Sequence, residues 1–201
     1  MPKQTYYNLD SERRYEIDMA CIREFESKPM SEISAGSICK SLDLSRAAFY
    51  KYFKSVEECY FYYLDSANFD SHMCIFQCLI EGENLIDSLK KIPDIVSKAL
   101  FESKLIGILK SFYTNRNAVL EEGWRRYKEE NSKECKINIP EVEFAGTSIT
   151  DMDMFKSLIK TISSVSHEII RECFVKDWSR EKFEEEYHRR LNFIINGIRI
   201  S

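Results

Sequence analysis

Basic and aromatic side chains gather in one short stretch, residues 46–54, where the sequence reads RAAFYKYFK. Residues 39–54 carry four basic side chains and one acidic side chain, a local charge of +3 that attracts phosphate groups. On a helix, Phe49 and Phe53 lie four residues apart and share a face, which we expect to be buried. The residues between them then point away from that face and are available to a partner.

The outward residues of this predicted helix suit the major groove of DNA. The methyl group of Ala47 is small enough to approach a base edge, and Arg46 reaches a guanine edge or a phosphate. Tyrosine hydroxyls bind the sugar-phosphate backbone, and lysines neutralise its charge. We predict a DNA-binding surface that consists of Ser34, Ser45, Arg46, Ala47, Tyr50, Lys51, Tyr52 and Lys54.

Two further helices are predicted to position this one. Apolar residues at helical spacing predict an amphipathic helix over residues 11–27, which Pro29 follows. Ser34 is a suitable N-cap for a short second helix, and Ser45 is a suitable N-cap for the third, over residues 46–53. Between them stands Asp43, a residue type that tolerates the left-handed backbone conformation often needed in such a turn.

These segments resemble the helix-turn-helix of TetR/AcrR-type transcription regulators. The residues that carry the resemblance are 17–25 (IDMACIREF), 38–53 (ICKSLDLSRAAFYKYF) and 55–58 (SVEE), about a quarter of the chain. The resemblance implies an all-α protein, with an N-terminal three-helix helix-turn-helix domain and a larger helical ligand-binding and dimerisation domain. Three residues depart from the family pattern: Glu24 replaces an apolar residue, Asp43 a glycine, and Val56 a lysine that often meets phosphate.

The remainder of the chain also favours helices. A capping box over residues 55–58 predicts the start of a long fourth helix, and apolar periodicity predicts further helices, about nine in all. Residues 131–150 lack this periodicity and are predicted to form a long loop. We therefore expect two domains, a DNA-binding domain over residues 1–54 and a ligand-binding and dimerisation domain over residues 55–201.

The resemblance further implies a small-molecule pocket among the middle helices and a homodimer formed by the last two. Periodicity alone fits either a monomer core or a four-helix interface between two copies, and the resemblance favours the dimer. The predicted pocket residues, whose aromatic content favours a mostly apolar effector, are Phe76, Leu105, Leu109, Phe112, Trp124, Tyr127 and Phe155. The predicted dimer interface consists of Leu158, Ile162, Val165, Ile169, Tyr187, Leu191, Ile194 and Ile198.

Composition excludes several other classes of protein. Six glycines and four prolines are too few for the many turns of an all-β fold. The chain lacks an apolar run of the ~18 residues that span a membrane, and its start does not resemble a secretory signal, so we expect a cytoplasmic protein without a membrane partner. Seven cysteines without a Cys-x-x-Cys pair favour reduced thiols. His72, Cys74 and Cys78 form the group most similar to metal ligands, but we expect no metal and no cofactor, because free cysteines are commonly buried apolar residues.

The sequence thus predicts a ligand-responsive regulator that binds a palindromic operator in double-stranded DNA as a homodimer and represses transcription until an effector releases it. Two alternatives remain open. A protein-binding coactivator without its own operator would fit the net charge of −4 and the Val56 departure. A small helical enzyme has little support, since His72, His167 and His188 lie far apart in sequence without a nucleophile motif.

Overall fold

The computed structural model describes residues 1–42, 44–81, 84–131, 147, 149 and 151–198 of the 201-residue chain, without the side chains of 68–74, 76, 77, 80 and 81. Its described residues form ten α-helices and a 3₁₀-helix at Met30–Glu32. The helices are α1 (Gln4–Tyr7), α2 (Ser11–Ser27), α3 (Ala35–Lys40), α4 (Arg46–Tyr52), α5 (Val56–Glu81), α6 (Leu85–Phe101), α7 (Ile106–Thr114), α8 (Ala118–Asn131), α9 (Met152–Val175) and α10 (Arg180–Ile198). The predicted all-α fold is confirmed, and the described part of the chain has one helix more than the nine or so expected, because α1 was not predicted.

Side-chain caps explain why the first helices begin where they do. The backbone N–H of Arg13 donates to the Asp10 carboxylate at the start of α2, at 2.8 Å. Ser34 and Ser45 cap α3 and α4 as predicted, since their hydroxyls accept from backbone N–H groups three residues later. Asp43, the predicted turn residue, lies outside the described residues.

The chain divides into two compact units. The first consists of Met1–Asn68 and Lys104–Cys135, and the second of Phe69–Ser103 and Lys136–Ser201. The first unit is therefore larger than the predicted DNA-binding domain of residues 1–54, because α7 packs against α2. The boundary between residues 54 and 55 remains a prediction about function, which packing alone does not test.

The core of the first unit surrounds the buried face of α2, which carries Ile17, Ala20, Cys21 and Phe25. The ring of Phe25 meets that of Tyr60 on α5 edge to face, with centroids 5.2 Å apart. The thiols of Cys21 and Cys59 lie in the same core with their sulfurs 3.7 Å apart. These apolar and aromatic contacts attach α2 to α5. Since α2 packs against α3 and α3 against α4, they hold the three-helix head, which consists of α2, α3 and α4.

In the second unit, α10 packs against both α6 and α9. The Ser97 hydroxyl of α6 donates to the Glu184 carboxylate of α10 at 2.5 Å. The Arg190 guanidinium of α10 lies 2.8 Å from the Glu172 carboxylate of α9. Polar links of this kind surround an apolar interior. One side of α10 is therefore covered by α6 and another by α9 within the same chain.

Within the described residues, no helix is both long and apolar enough to cross a membrane. The same residues contain no cluster of three potential metal ligands. Of the predicted His72, Cys74 and Cys78 group, only Cys78 has a described side chain, and its thiol donates to the Ser88 carbonyl at 3.3 Å. The side chains of His72 and Cys74 lie outside the described residues.

Candidate nucleic-acid interface

The placement of α4 depends on two phenylalanines. Phe49 is 2% exposed and Phe53 is fully buried, and their ring centroids lie 5.3 Å apart. Tyr50, the residue between them in the helical pattern, is 45% exposed. The core side of α4 is thus apolar, and the opposite side carries polar and charged groups in contact with solvent.

The predicted DNA-contacting residues mostly lie on that solvent side. Seven of the eight side chains are exposed, namely Ser34, Ser45, Arg46, Ala47, Tyr50, Lys51 and Lys54, whereas Tyr52 is half-buried. Neither Arg46, Lys51 nor Lys54 has a carboxylate ion-pair partner among the residues that the structure describes. Their positive charges are therefore available to an anionic partner.

The exposed side chain of Arg46 lies across the start of α3. A Cβ atom built on Gly36 would lie 2.8 Å from Nη2 of Arg46, which places the guanidinium directly over the glycine. Because Gly36 has no side chain, there is space for the Arg46 guanidinium at this position. Sequence reasoning missed this role, because a glycine in a short helical segment carries no signal of its distant neighbour.

The N-terminal residues also take part in this surface, which the sequence did not suggest. The ammonium of Lys3 donates to the Tyr50 carbonyl at 2.7 Å, and the backbone N–H of Lys3 donates to the Tyr52 carbonyl at 2.7 Å. The Thr5 hydroxyl donates to the Lys51 carbonyl. Three consecutive carbonyls at the end of α4 are thus bonded to two residues of the chain's first segment.

Val56, where the family resemblance leads one to expect a lysine, is the first residue of α5 and is half-buried. The cation nearest in sequence is Lys54, whose side chain is exposed. The backbone N–H of Lys54 donates to the Glu58 carboxylate at 3.1 Å, and the Glu58 N–H donates to the Ser55 hydroxyl at 3.0 Å. These two hydrogen bonds fix the turn between α4 and α5 through the Lys54 backbone, and the Lys54 side chain is exposed.

Comparison with known proteins gives a family match outside these residues. Residues 84–198 match the model of the family described as "Tetracyclin repressor-like, C-terminal domain", which is more than half of the chain. The chain belongs to the TetR family. Members of this family are helix-turn-helix transcription regulators rather than enzymes, so the predicted family and protein class are confirmed and the enzyme alternative is excluded.

Two solved TetR structures align with this chain at low sequence identity. A TetR family transcriptional regulator from Chloroflexus aurantiacus J-10-FL covers 100% of both chains with a TM-score of 0.55 and 15% identity. A TetR transcriptional regulator from Rhodococcus sp. RHA1 has a TM-score of 0.49 and 12% identity over 90% of this chain and 94% of its own. The chain matches none of the curated proteins.

Three of the predicted pocket residues of this TetR protein meet in the first unit. The rings of Trp124 and Tyr127 stack with centroids 5.7 Å apart, and Phe112 lies 6.3 Å from Trp124. Phe61, which was not predicted, joins them at 5.7 Å from Trp124. We call these four residues the aromatic cluster.

The other predicted pocket residues do not all join this cluster. Leu109 is buried and Leu105 half-buried in the first unit, whereas Phe155 is buried in the second unit. The Phe76 side chain lies outside the described residues. The predicted pocket as a whole therefore stays a prediction.

The predicted dimer interface of the TetR protein is largely occupied within one protomer. Five of its eight side chains are at most 7% exposed in the single chain, namely Leu158, Ile162, Ile169, Tyr187 and Leu191. Val165, Ile194 and Ile198 are half-buried. Phe193, which was not predicted, is 75% exposed on α10 and is the most exposed large apolar side chain of the last two helices.

Proposed function

We propose that this protein is a ligand-responsive transcription regulator that binds a palindromic operator as a homodimer and represses transcription until a small-molecule effector binds. The observation that carries the proposal is the division of α4 into a buried face with Phe49 and Phe53 and an exposed face with Tyr50 and Lys51. A recognition helix needs both faces, because it must be fixed to its scaffold while it contacts the duplex.

The exposed face of α4 has groups for both kinds of DNA contact. Ala47 offers a methyl group to a thymine, and Arg46 can turn outward from Gly36 toward a guanine edge. Lys51 and Lys54 neutralise phosphates, while Ser34, Ser45 and the tyrosine hydroxyls bind the sugar-phosphate backbone. A seven-residue helix is about 10 Å long, which suits a major groove about 12 Å wide.

A homodimer would give this small head enough contacts for specific binding. Two heads separated by one DNA turn, about 34 Å, read two halves of a palindrome and combine their contacts. The exposed Phe193 and the half-buried Ile194 and Ile198 of α10 are the apolar groups that we propose for the contact between two copies. A regulator with this function works in the cytoplasm, where it reaches its operator.

The aromatic cluster is the proposed first contact of the effector. Trp124 is half-buried, so part of its side chain is open to a ligand, while Phe61, Phe112 and Tyr127 pack around its ring and the Lys128 ammonium lies 5.5 Å from the ring centroid. Such surroundings favour a mostly apolar molecule with few polar groups. A typical coupling free energy of about 1–3 kcal/mol would change DNA affinity by about 5- to 150-fold.

Selection from random duplex fragments tests the proposal. The wild-type chain should enrich a palindromic sequence, and the Tyr50→Ala variant should enrich it less strongly, because an exposed contact is lost while the core face of α4 remains. Tyr15→Ala is a matched control, since Tyr15 is 64% exposed on α2 and is not among the proposed contacts. A wild-type chain that enriches no duplex would contradict operator binding.

The same selection addresses the coactivator alternative. The net charge of −4 and the absence of a lysine at Val56 favour this alternative, because both reduce attraction to phosphate. A coactivator would bind a protein partner and would enrich no sequence from the random duplexes. Enrichment of a palindrome by the purified chain alone excludes it.

A further inference from the structure

The carboxyl end of α4 is held by residues outside the helix-turn-helix. Lys3 donates twice, from its ammonium to the Tyr50 carbonyl and from its backbone N–H to the Tyr52 carbonyl, each at 2.7 Å. Thr5 donates from its hydroxyl to the Lys51 carbonyl between them. Residues 3–7, which we call the N-terminal strap, therefore bind three successive carbonyls of the helix that carries the proposed DNA contacts.

A helix as short as α4 depends on such partners. The last four carbonyls of any α-helix have no intrahelical donor, and in a seven-residue helix they are more than half of the total. Only Phe49, among the last four residues of α4, has a carbonyl that accepts a helical bond, from the Phe53 N–H at 3.1 Å. The Lys3 ammonium also places a positive charge where the helix dipole is negative, which stabilises the helix end.

The strap is itself fixed to the scaffold by Tyr6. This side chain is 2% exposed, and its ring lies 5.3 Å from that of Phe53. The Tyr6 hydroxyl donates to Oδ1 of Asp18 on α2 at 2.5 Å. The Tyr63 hydroxyl of α5 donates to the same Asp18 oxygen at 2.7 Å. Tyr6 thus connects the strap to α2 directly and to α5 through the Asp18 carboxylate.

We propose that Lys3 and Thr5 are positioning residues for DNA binding, which act through the carbonyls of residues 50–52 and fix the direction in which Tyr50 and Lys51 leave the helix. This inference rests on the proposed function of α4 as the recognition helix. Contacts with a rigid partner require side chains held to within about 0.5 Å, and supporting hydrogen bonds provide that precision. Neither residue needs to touch the duplex for its loss to weaken binding.

The test compares Thr5→Val, Lys3→Met and the double variant with the wild-type chain. Both substitutions keep the size of an exposed side chain, and both leave the Tyr6 anchor in place. Gln4→Met is the matched control, because among the residues that the structure describes the Gln4 side-chain amide bonds to the exposed Asn8 side chain, at 3.0 Å, and not to α4. Hydrogen exchange of the α4 amides is measured in the free protein, and affinity for the duplex selected by the wild-type chain is measured over a range of salt concentrations.

In the double variant, we expect the α4 amides to exchange about tenfold faster and duplex affinity to fall about tenfold, the effect of losing two net hydrogen bonds. The salt dependence of binding should remain that of the wild-type chain, because no phosphate contact is removed. The Gln4→Met control should match the wild-type chain in both measurements.

Three results would overturn the inference, and they differ from one another. Unchanged α4 exchange in the double variant would mean that the strap does not support the helix. A salt slope reduced by about one in Lys3→Met would mean that Lys3 contacts a phosphate directly. If the wild-type chain selects no duplex, the proposed function fails and the inference fails with it, whatever the exchange rates of α4 are.

Discussion

At the scale of single residues, α4 contains two neighbours with opposite roles. Phe49 is 2% exposed and Tyr50 is 45% exposed, although both are aromatic and adjacent in sequence. The spacing of Phe49 and Phe53 was sufficient to predict that Phe49 is buried and Tyr50 is not, because residues four apart lie on the same face of a helix. The sequence could not predict that Arg46 rests on Gly36, since that contact joins two helices through a turn whose geometry no local pattern specifies.

The two aromatic residues should therefore differ in their effect on stability. Phe49→Ala should lower the free energy of unfolding by about 3–5 kcal/mol, because it leaves a cavity in the core. Tyr50→Ala should change it by less than about 0.5 kcal/mol, because the side chain is at the surface. Urea unfolding of both variants measures the difference. Equal losses would mean that Tyr50 is part of the core.

Lys51 should make a purely electrostatic contribution to DNA binding. Lys51→Ala should weaken binding to all duplexes and reduce the slope of log affinity against log salt by about 0.9, since one phosphate contact is lost. Lys160→Ala is the control, because Lys160 is an exposed lysine of α9 outside the proposed interface. A slope that stays the same in Lys51→Ala would remove this residue from the interface.

At the scale of helices, sequence patterns predicted most elements and missed those that depend on distant partners. Caps and periodicity placed α2, α3 and α4 within a few residues, because these signals are local. The four-residue helix α1 is too short to show an apolar period. It is held by hydrogen bonds to α4, which come from its N-cap residue Lys3 and from Thr5 within it. Long-range bonds of this kind leave no trace in the local sequence, so the strap could only be found in the structure.

The link between α9 and α10 should depend on pH. Hydrogen bonds from Arg190 and then from Lys176 lower the pKa of Glu172 from 4.5 to about 2. A lowered folded-state pKa stabilises the fold above the unfolded pKa, and this contribution is lost as the pH falls from about 4.5 towards about 2. Because these charges are partly solvated, we expect about 1 kcal/mol at neutral pH.

Glu172→Gln tests this ion pair. The variant should be about 1 kcal/mol less stable than the wild-type chain at pH 7, and the difference should disappear near pH 2. Glu185→Gln is the control, because Glu185 is an exposed residue that pairs with Lys182 at 3.0 Å along the same helix. Its effect should be small at every pH. A Glu172→Gln difference that persists in acid would mean that packing, not charge, is responsible.

At the scale of the whole molecule, an apolar helix face does not reveal whether its partner is in the same chain. The spacing of Leu158, Ile162 and Leu191 predicted an apolar face, the family resemblance assigned that face to the dimer, and all three side chains are buried within the single chain. Periodicity identifies a face that must be covered but not the element that covers it. A substitution such as Leu191→Glu would therefore destabilise the protomer itself, and Phe193 is the better probe of a second copy.

The proposed dimer should be sensitive to Phe193. Phe193→Glu should shift the sedimenting species from dimer towards monomer, because a charge would enter an apolar contact between copies. Val119→Glu is the control, since Val119 is 80% exposed on α8 and lies outside α9 and α10. The monomeric form of each variant should unfold at the same temperature as the wild-type monomer, because both side chains are exposed in the single chain. A Phe193→Glu chain that remains a dimer would place the interface on another surface.

The glycine beneath Arg46 gives this protein a simple route to a new binding preference. A methyl group at Gly36 would lie 2.8 Å from Nη2 of Arg46, and only the flexible end of the arginine would need to move. Helix α3 would tolerate the change, because alanine favours helical structure more than glycine does. A single codon change at Gly36, which is not among the proposed DNA contacts, would thus redirect the guanidinium. If α4 is the recognition helix, operator preference would then change while every proposed contact residue stays the same.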